Sequence, residues 1–317
     1  MNVKSFLKVV EIQTKVASII PYLVGVLFAL YHYQEFNGIN SILFLISLLG
    51  IDMATTAINN YMDHKKAVVK VGYNYEEHNG IVSNNLSDKQ VLITIITLIV
   101  IGTIAGLLLV LRTDLIVLVI GFFSFGIGII YSAGPIPISR TPFGEIFSGL
   151  MMGGVIFFIS IYIQLESVDL ISYEFLKNRF TVSLDFVELI YIVIIAVPLV
   201  AGISNIMLAN NICDLEEDIK NNRYTLPCFI GENKALFVFR ALYYSSYLSV
   251  ILALILGILP LTSLLIILTF PVINSKINHF VKIHIKEETF ILSVQSFMLF
   301  GLFYALSIFI GLFIFVR

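Results

Sequence analysis

The sequence predicts an all-α membrane protein, nine transmembrane helices in one bundle over residues 1–317, with the N-terminus cytoplasmic. Three observations predict it. Apolar runs of roughly 18 or more residues recur along the chain, each long enough to cross a bilayer as a helix. Charged residues make up only 13% of the sequence, against about a quarter in an ordinary soluble domain. Of the 19 lysines and arginines, all but Arg112, Lys177, Arg179 and Arg317 fall on the N-terminal side of a nine-helix layout. That asymmetry marks the cytoplasmic side, and an odd number of crossings then puts the C-terminus outside.

The helices are expected at 16–34, 41–63, 91–112, 114–131, 141–164, 188–212, 235–256, 258–278 and 289–316. Several connections are very short, so sequential helices are antiparallel neighbours. Two long basic loops, 64–90 and 213–234, face the cytoplasm, and 165–187 is a polar, acidic loop on the other side. Met1–Gln13 carries Lys4, Lys8 and Glu11 and no small-residue site follows the first apolar run, so no cleavable signal peptide is expected. The net charge of −2 gives no reason to expect nucleic acid as a partner. Cys213 and Cys228 lack CxxC spacing and read as single thiols. The five histidines, His32, His64, His78, His279 and His284, lack metal-ligand spacing.

Asn210–Leu226 is the stretch that the chain is organised around. It follows the apolar run Leu189–Leu208 and then places Asp214, Glu216, Glu217, Asp218, Lys220 and Arg223 close together at a membrane boundary. On a helix, Asn210, Asp214 and Asp218 recur every four residues and share one face. Such a column of oxygens suits a hard divalent cation. Asn211 is offset by about 100° and points either to substrate or to a neighbouring helix. Asn59-Asn60-Tyr61-Met62-Asp63 echoes Asn210-Asn211-Ile212-Cys213-Asp214. Each is N-N-x-x-D at the cytoplasmic end of an apolar helix, and the two helices run the same way. The expected arrangement is two half-sites facing one cavity. Facing carboxylates need cations between them, and Mg²⁺ completes its shell with phosphate oxygens. A diphosphate held beside an apolar cavity suggests a lipid diphosphate, whose allylic C–O bond would break to a carbocation that aromatic faces stabilise. A cation-coupled transporter is the reading from another class. It is disfavoured because these acids sit at one membrane face rather than near the midplane.

These residues resemble the UbiA superfamily of membrane prenyltransferases, whose motifs are N-D-x-x-D-x-x-x-D and D-x-x-x-D. The second is present as Asp214 and Asp218. The run through Arg223, Thr225 and Leu226 to Gly231 is similar to the 1,4-dihydroxy-2-naphthoate prenyltransferase branch of menaquinone synthesis. So are Tyr131-Ser132-Ala133-Gly134-Pro135-Ile136-Pro137 with Gly144-Glu145, and Thr14-Lys15 before Pro21 and Gly25. The resemblance covers the whole chain. It implies a UbiA-type bundle in a bacterial cell membrane, with Mg²⁺ as cofactor and transfer of a polyprenyl group from its diphosphate to an aromatic ring. Dihydroxynaphthoate is the acceptor expected, with hydroxybenzoate or homogentisate as alternatives. The first motif departs from the pattern: Asn60 stands where an Asp is usual, Ala67 replaces a third Asp, and 78–83 lacks the family's Arg. One or two metals are therefore both compatible with it.

The resemblance and the spacing together nominate Asp63, Asp214 and Asp218 as metal ligands, with Asn59, Asn60 and Asn210 as neutral oxygens. Arg223 is expected on the diphosphate, together with Lys66 or its neighbours Lys65 or Lys70. Lys15 is either a diphosphate contact or a membrane-side anchor, and Arg140 either meets substrate or marks topology. Tyr131 and Glu145 either position the acceptor or shape a Gly-Pro loop. Glu287 and Glu288 read as helix caps.

Overall fold

A computed structural model describes residues 1–66, 81, 83–84, 86–132 and 137–314, with the side chains of Asp63, Lys66 and Ser132 outside that description. Contacts divide the chain into two compact units, Met1–Ile19 with Gly38–Gly121, and Ile20–Asn37 with Phe122–Arg317.

In the first unit a short helix α1 (Val3–Val9) and a 3₁₀ turn (Ile12–Lys15) lead into the first spanning segment, which continues as α2 (Val16–Phe28). The body of the unit is the pair α3 (Gly38–Lys66) and α4 (Asp88–Arg112). Gly50 lets these helices touch, since a Cβ there would lie 2.9 Å from the Gly102 Cα. Ser87 and Gln90 form a reciprocal capping box at the start of α4. Val9, Ala57, Ile81, Val91 and Ile95 form a buried cluster beneath α1. At opposite ends of the pair, Lys65 meets Asp88 at 2.5 Å and Arg112 donates to Asn40 at 3.0 Å.

Helix α5 (Leu115–Ser132) crosses from one unit to the other between Gly121 and Phe122. In the second unit a single span is built from α6 (Gly144–Ser148), a π-helical stretch (Gly149–Val155) and α7 (Ile156–Tyr162). Helix α8 (Phe186–Cys213) packs on it, and the interface is set by Gly153: a Cβ there would meet the Val200 backbone nitrogen at 2.6 Å. Pro198 interrupts the ladder of α8, freeing the carbonyl of Ile194, which accepts instead from Ser249 Oγ at 2.5 Å. Short helices α9 (Leu215–Lys220) and α10 (Leu226–Ile230) follow. Then come α11 (Glu232–Ile255), a 3₁₀ stretch (Leu261–Thr269), α12 (Phe270–Lys282) and α13 (Phe290–Ile314).

Eight helical segments of the described residues are long and apolar enough to cross a membrane. The fourth of the nine expected is α5, whose apolar part is shorter than the rest. Its end at Ser132 precedes Pro135 and Pro137, which cannot continue a helix. The expected polar loop at 165–187 is also revised. It contains an antiparallel hairpin, β1 (Ile171–Leu176) and β2 (Arg179–Leu184). Alternation of apolar and polar residues with period two, rather than low hydrophobicity, is the pattern there.

Candidate active site

Helix α8 stops at Cys213 because Asp214 turns out of helical geometry, at φ −93° and ψ 7°. The hydrogen-bond ladder nevertheless carries through the break. Asp214 N donates to Asn210 O at 3.0 Å and Asp218 N to Asp214 O at 2.7 Å. Asn210, Asp214 and Asp218 therefore keep their spacing of one turn. Asn210 Nδ2 donates to Asp214 Oδ2 at 3.3 Å, and Lys286, from the segment before α13, pairs with the same oxygen. Asp218 is buried. Its Oδ1 pairs with Arg223 Nη1 at 3.2 Å and its Oδ2 accepts from Thr225 Oγ1, also at 3.2 Å. Burial pushes the Asp218 carboxyl above the ordinary aspartate range, and the Arg223 guanidinium and Thr225 hydroxyl pull it back.

Arg223 is fixed by its own backbone as well: its N–H donates to Asp218 O at 2.8 Å and its Nη2 reaches Ser139 O at 3.5 Å. Its Nε is buried with no partner among the described residues. The next residue, Tyr224, donates its N–H to Arg140 O at 3.2 Å, which seats the turn at Ile138–Arg140 against the acidic stretch. The Arg140 side chain is exposed. Glu145, at the start of α6, is buried, and accepts from Asn211 Nδ2 at 2.8 Å. Ser204 Oγ donates to the Glu145 carbonyl at 2.9 Å. Tyr131 hydrogen-bonds Ser148 and feels the charges of Glu145 and Arg223. Tyr131, Glu145, Asn210, Asn211, Asp214, Asp218 and Arg223 thus belong to one neighbourhood of the second unit.

The other nominated residues lie in the first unit. Asn59 is exposed on α3. Asn60 Nδ2 donates to Val9 O at 2.9 Å and Glu11 Oε1 at 3.1 Å. Lys15 is buried, with its ammonium 2.6 Å from Asp52 Oδ1 and 2.7 Å from Thr56 Oγ1. Ser18 donates to the other Asp52 oxygen at 2.5 Å. The side chains of Asp63 and Lys66 lie outside the described residues, as do Ala67, Lys70 and 133–136.

The donor set suits a hard divalent cation: two carboxylates and an amide oxygen at one-turn spacing, all oxygen and no sulfur or imidazole. The described residues contain no cluster of three His, Cys, Asp or Glu that would close a metal site alone. A cation there would therefore need further oxygens, such as the waters and phosphates that Mg²⁺ takes.

Residues 18–289 match the UbiA prenyltransferase family. The chain belongs to that family. It is accordingly a multi-pass membrane enzyme that transfers prenyl groups. Among curated proteins it is 29% identical over 249 residues to the 1,4-dihydroxy-2-naphthoate octaprenyltransferase of Bacillus subtilis (strain 168), covering 77% of this chain and 71% of that one. Its fold matches an apo UbiA homologue from Aeropyrum pernix K1, at 14% identity and a TM-score of 0.65, over 94% and 98% of the two chains. It also matches a UbiA homologue from Archaeoglobus fulgidus bound to DMAPP and Mg²⁺, at 15% identity and a TM-score of 0.54, over 96% and 99%.

Two charged residues at these clusters escaped the sequence reading. Lys286 counted only as a cytoplasmic-side charge, and nothing in its spacing links it to Asp214. Asp52 had a usable signal, since it is the one acid inside an apolar run, and intramembrane charges are rarely idle.

Proposed function

We propose that this chain transfers a polyprenyl group from a polyprenyl diphosphate to 1,4-dihydroxy-2-naphthoate, giving the demethylmenaquinone skeleton in a bacterial cell membrane. The observation that carries this reading is the intact Asp214–Arg223 stretch, with Asp214 matched to Lys286 and Asp218 to Arg223, in a chain similar to a naphthoate octaprenyltransferase. Asp214, Asp218 and Asn210 would hold Mg²⁺, and Asp63 and Asn59 of the echo motif are further candidate ligands. Bound there, Mg²⁺ would supply positive charge that makes diphosphate a better leaving group.

The chain's own residues do the rest. Arg223 favours the ionised form of Asp218 against the effect of burial and presents its remaining N–H donors to phosphate oxygens, a geometry that guanidinium suits well. Among the described residues Lys286 pairs with Asp214 alone, and it is half exposed, so its ammonium is free to swing to an entering phosphate. Lys66, Lys15 and Arg140 are further candidates for the diphosphate. Asn60, Asn211 and Tyr131 are candidates for positioning the substrates, Tyr131 on the side of the acceptor. The allylic C–O bond breaks with its electron pair going to diphosphate. The electron-rich ring then attacks the allylic carbon, and the acceptor's carboxylate leaves as CO₂. No covalent enzyme intermediate is required. The Lys and Arg asymmetry supports placing this chemistry on the cytoplasmic side.

The test is direct. Membranes carrying the chain are incubated with farnesyl or geranylgeranyl diphosphate, Mg²⁺ and one acceptor at a time, and products are read by mass spectrometry. A prenylated, decarboxylated product from dihydroxynaphthoate is expected. Product only from hydroxybenzoate or homogentisate would replace the acceptor, and uptake of substrate with no product would remove the enzymatic reading.

A further inference from the structure

We infer that the hairpin of β1 and β2 lies in the lipid interface at the end of α8 opposite Asp214, with its apolar face against the acyl chains. The register pairs Ile171 with Leu184, Tyr173 with Val182 and Phe175 with Phe180. Directly opposed residues share a face, so these six make a wholly apolar one. The reverse face carries Ser172, Glu174, Thr181 and Ser183, with Leu176 and Arg179 beside the turn. On the apolar face, five of the six side chains are between 40% and 76% exposed, Phe175 the most. A patch of that kind is not left in water without a partner.

Connectivity says which partner. The hairpin sits between two membrane-spanning segments, Gly144–Tyr162 and Phe186–Cys213. A single residue, Asp185, joins β2 to α8. Its N–H closes the hairpin base on Leu170 O at 3.0 Å, while its carboxylate caps α8 through the N–H groups of Val187 and Glu188. The hairpin is therefore pinned at the membrane boundary rather than carried away on a tether. Helix α8 begins there with exposed Phe186, Val187, Ile190 and Val193, a surface a bilayer covers. The turn presents Lys177 and Arg179, cations that complement phospholipid phosphates. Apolar face, cationic tip and attachment to a spanning helix together fit a lipid surface of the membrane the chain already crosses.

The chain has no tryptophan, so one introduced residue is the sole indole reporter. Phe175→Trp and Thr181→Trp probe the two faces of the full-length protein, reconstituted in phosphatidylcholine vesicles. One vesicle set carries bromine on acyl carbons close to the headgroup, and the other receives iodide in the aqueous phase. Both variants are expected to keep prenyl-transfer activity, since α8 separates the hairpin from the acidic stretch. Phe175→Trp should be quenched by bromolipid at least about twofold more than Thr181→Trp, given an interfacial depth of roughly 5–10 Å. Iodide should show the reverse order. Equal bromolipid quenching of the two would overturn the inference. So would a Phe175→Trp signal shielded from both quenchers, which would mean that a second copy of the chain covers this face.

Discussion

The two N-N-x-x-D stretches, Asn59–Asp63 in the first unit and Asn210–Asp214 in the second, solve the same local problem in different surroundings. In each, the second asparagine turns away from the first and donates its amide to a glutamate from another segment. Asn60 reaches Glu11 at 3.1 Å, and Asn211 reaches Glu145 at 2.8 Å. In the second unit the first asparagine shares the face of the aspartate one turn on, Asn210 donating to Asp214. The repeated motif thus uses its second asparagine as a joint in both units, and in the second unit the first asparagine stays with the aspartate. The joint is dry in the second unit, where Asn211 and Glu145 are buried, and wetter in the first, where Asn60 and Glu11 are half-buried. Charge follows the same split. Asp218 and Asp214 of the second unit are paired with Arg223 and Lys286 at the end of α8, whereas the first unit pairs Lys15 with Asp52 between helices.

If the intact column dominates, Asp214→Ala and Asp218→Ala remove prenyl transfer, by roughly 10²–10³-fold or more, an effect of the size seen when a transition-state charge stabiliser is lost. Helical content by circular dichroism stays unchanged. Asp63→Ala is expected to cost less than either. Activity is read as product formed per enzyme at saturating Mg²⁺, and equal losses at all three positions would erase the asymmetry between the stretches.

Much of this was legible beforehand. The helices follow from long apolar runs, and the column at 210, 214 and 218 follows from helical spacing, because both are local periodicities. The joints were not legible. An offset of about 100° says that Asn211 leaves the column but not that Glu145 waits for it, since their contact depends on how closely Gly149 and Gly153 let the backbone approach α8. The hairpin was hidden for another reason. Ile171, Tyr173, Phe175, Phe180, Val182 and Leu184 alternate with polar residues, so the segment's average looks polar while one face is not. Lys15 illustrates a third limit. A lysine at a helix start reads as a membrane-side anchor, and only the packing of α3 reveals that it is buried against an aspartate.

The Lys15–Asp52 pair marks the first unit's use of charge for holding helices. Lys15→Met leaves a half-buried carboxylate with Ser18 but no cation and is expected to lower stability by about 3 kcal/mol, the lower end of the range for a buried pair. The double variant Lys15→Met/Asp52→Leu should recover most of that. Thermal unfolding in detergent measures both. A stable double variant with normal activity confines the pair to structure, whereas one that is stable but inactive assigns Lys15 to substrate.

The two joints come next. Asn211→Leu strands the buried Glu145 carboxylate and should cost about 2–3 kcal/mol, with Asn60→Leu nearer 1 kcal/mol because water reaches its partners. The same unfolding assay, run without substrate, reads the difference. A reversed order would show that the first unit, not the second, contains the drier joint.

The smallest effect separates a cation that binds substrate from one that supports the fold. Lys286 is half exposed and touches only the edge of the column, so removing it leaves packing intact. The pair is open to solvent on the lysine side only, since Asp214 is buried and keeps its contact with Asn210, so losing Lys286 costs on the order of 1 kcal/mol. A cation that meets a diphosphate contributes to binding instead. Lys286→Met is therefore expected to leave the unfolding temperature nearly unchanged while raising KM for polyprenyl diphosphate about tenfold, equivalent to about 1.4 kcal/mol. The KM for the aromatic acceptor should not move. If both KM values rise together, or if stability falls instead, Lys286 serves Asp214 and not the phosphate. The second unit would then resemble the first in using its cations as struts.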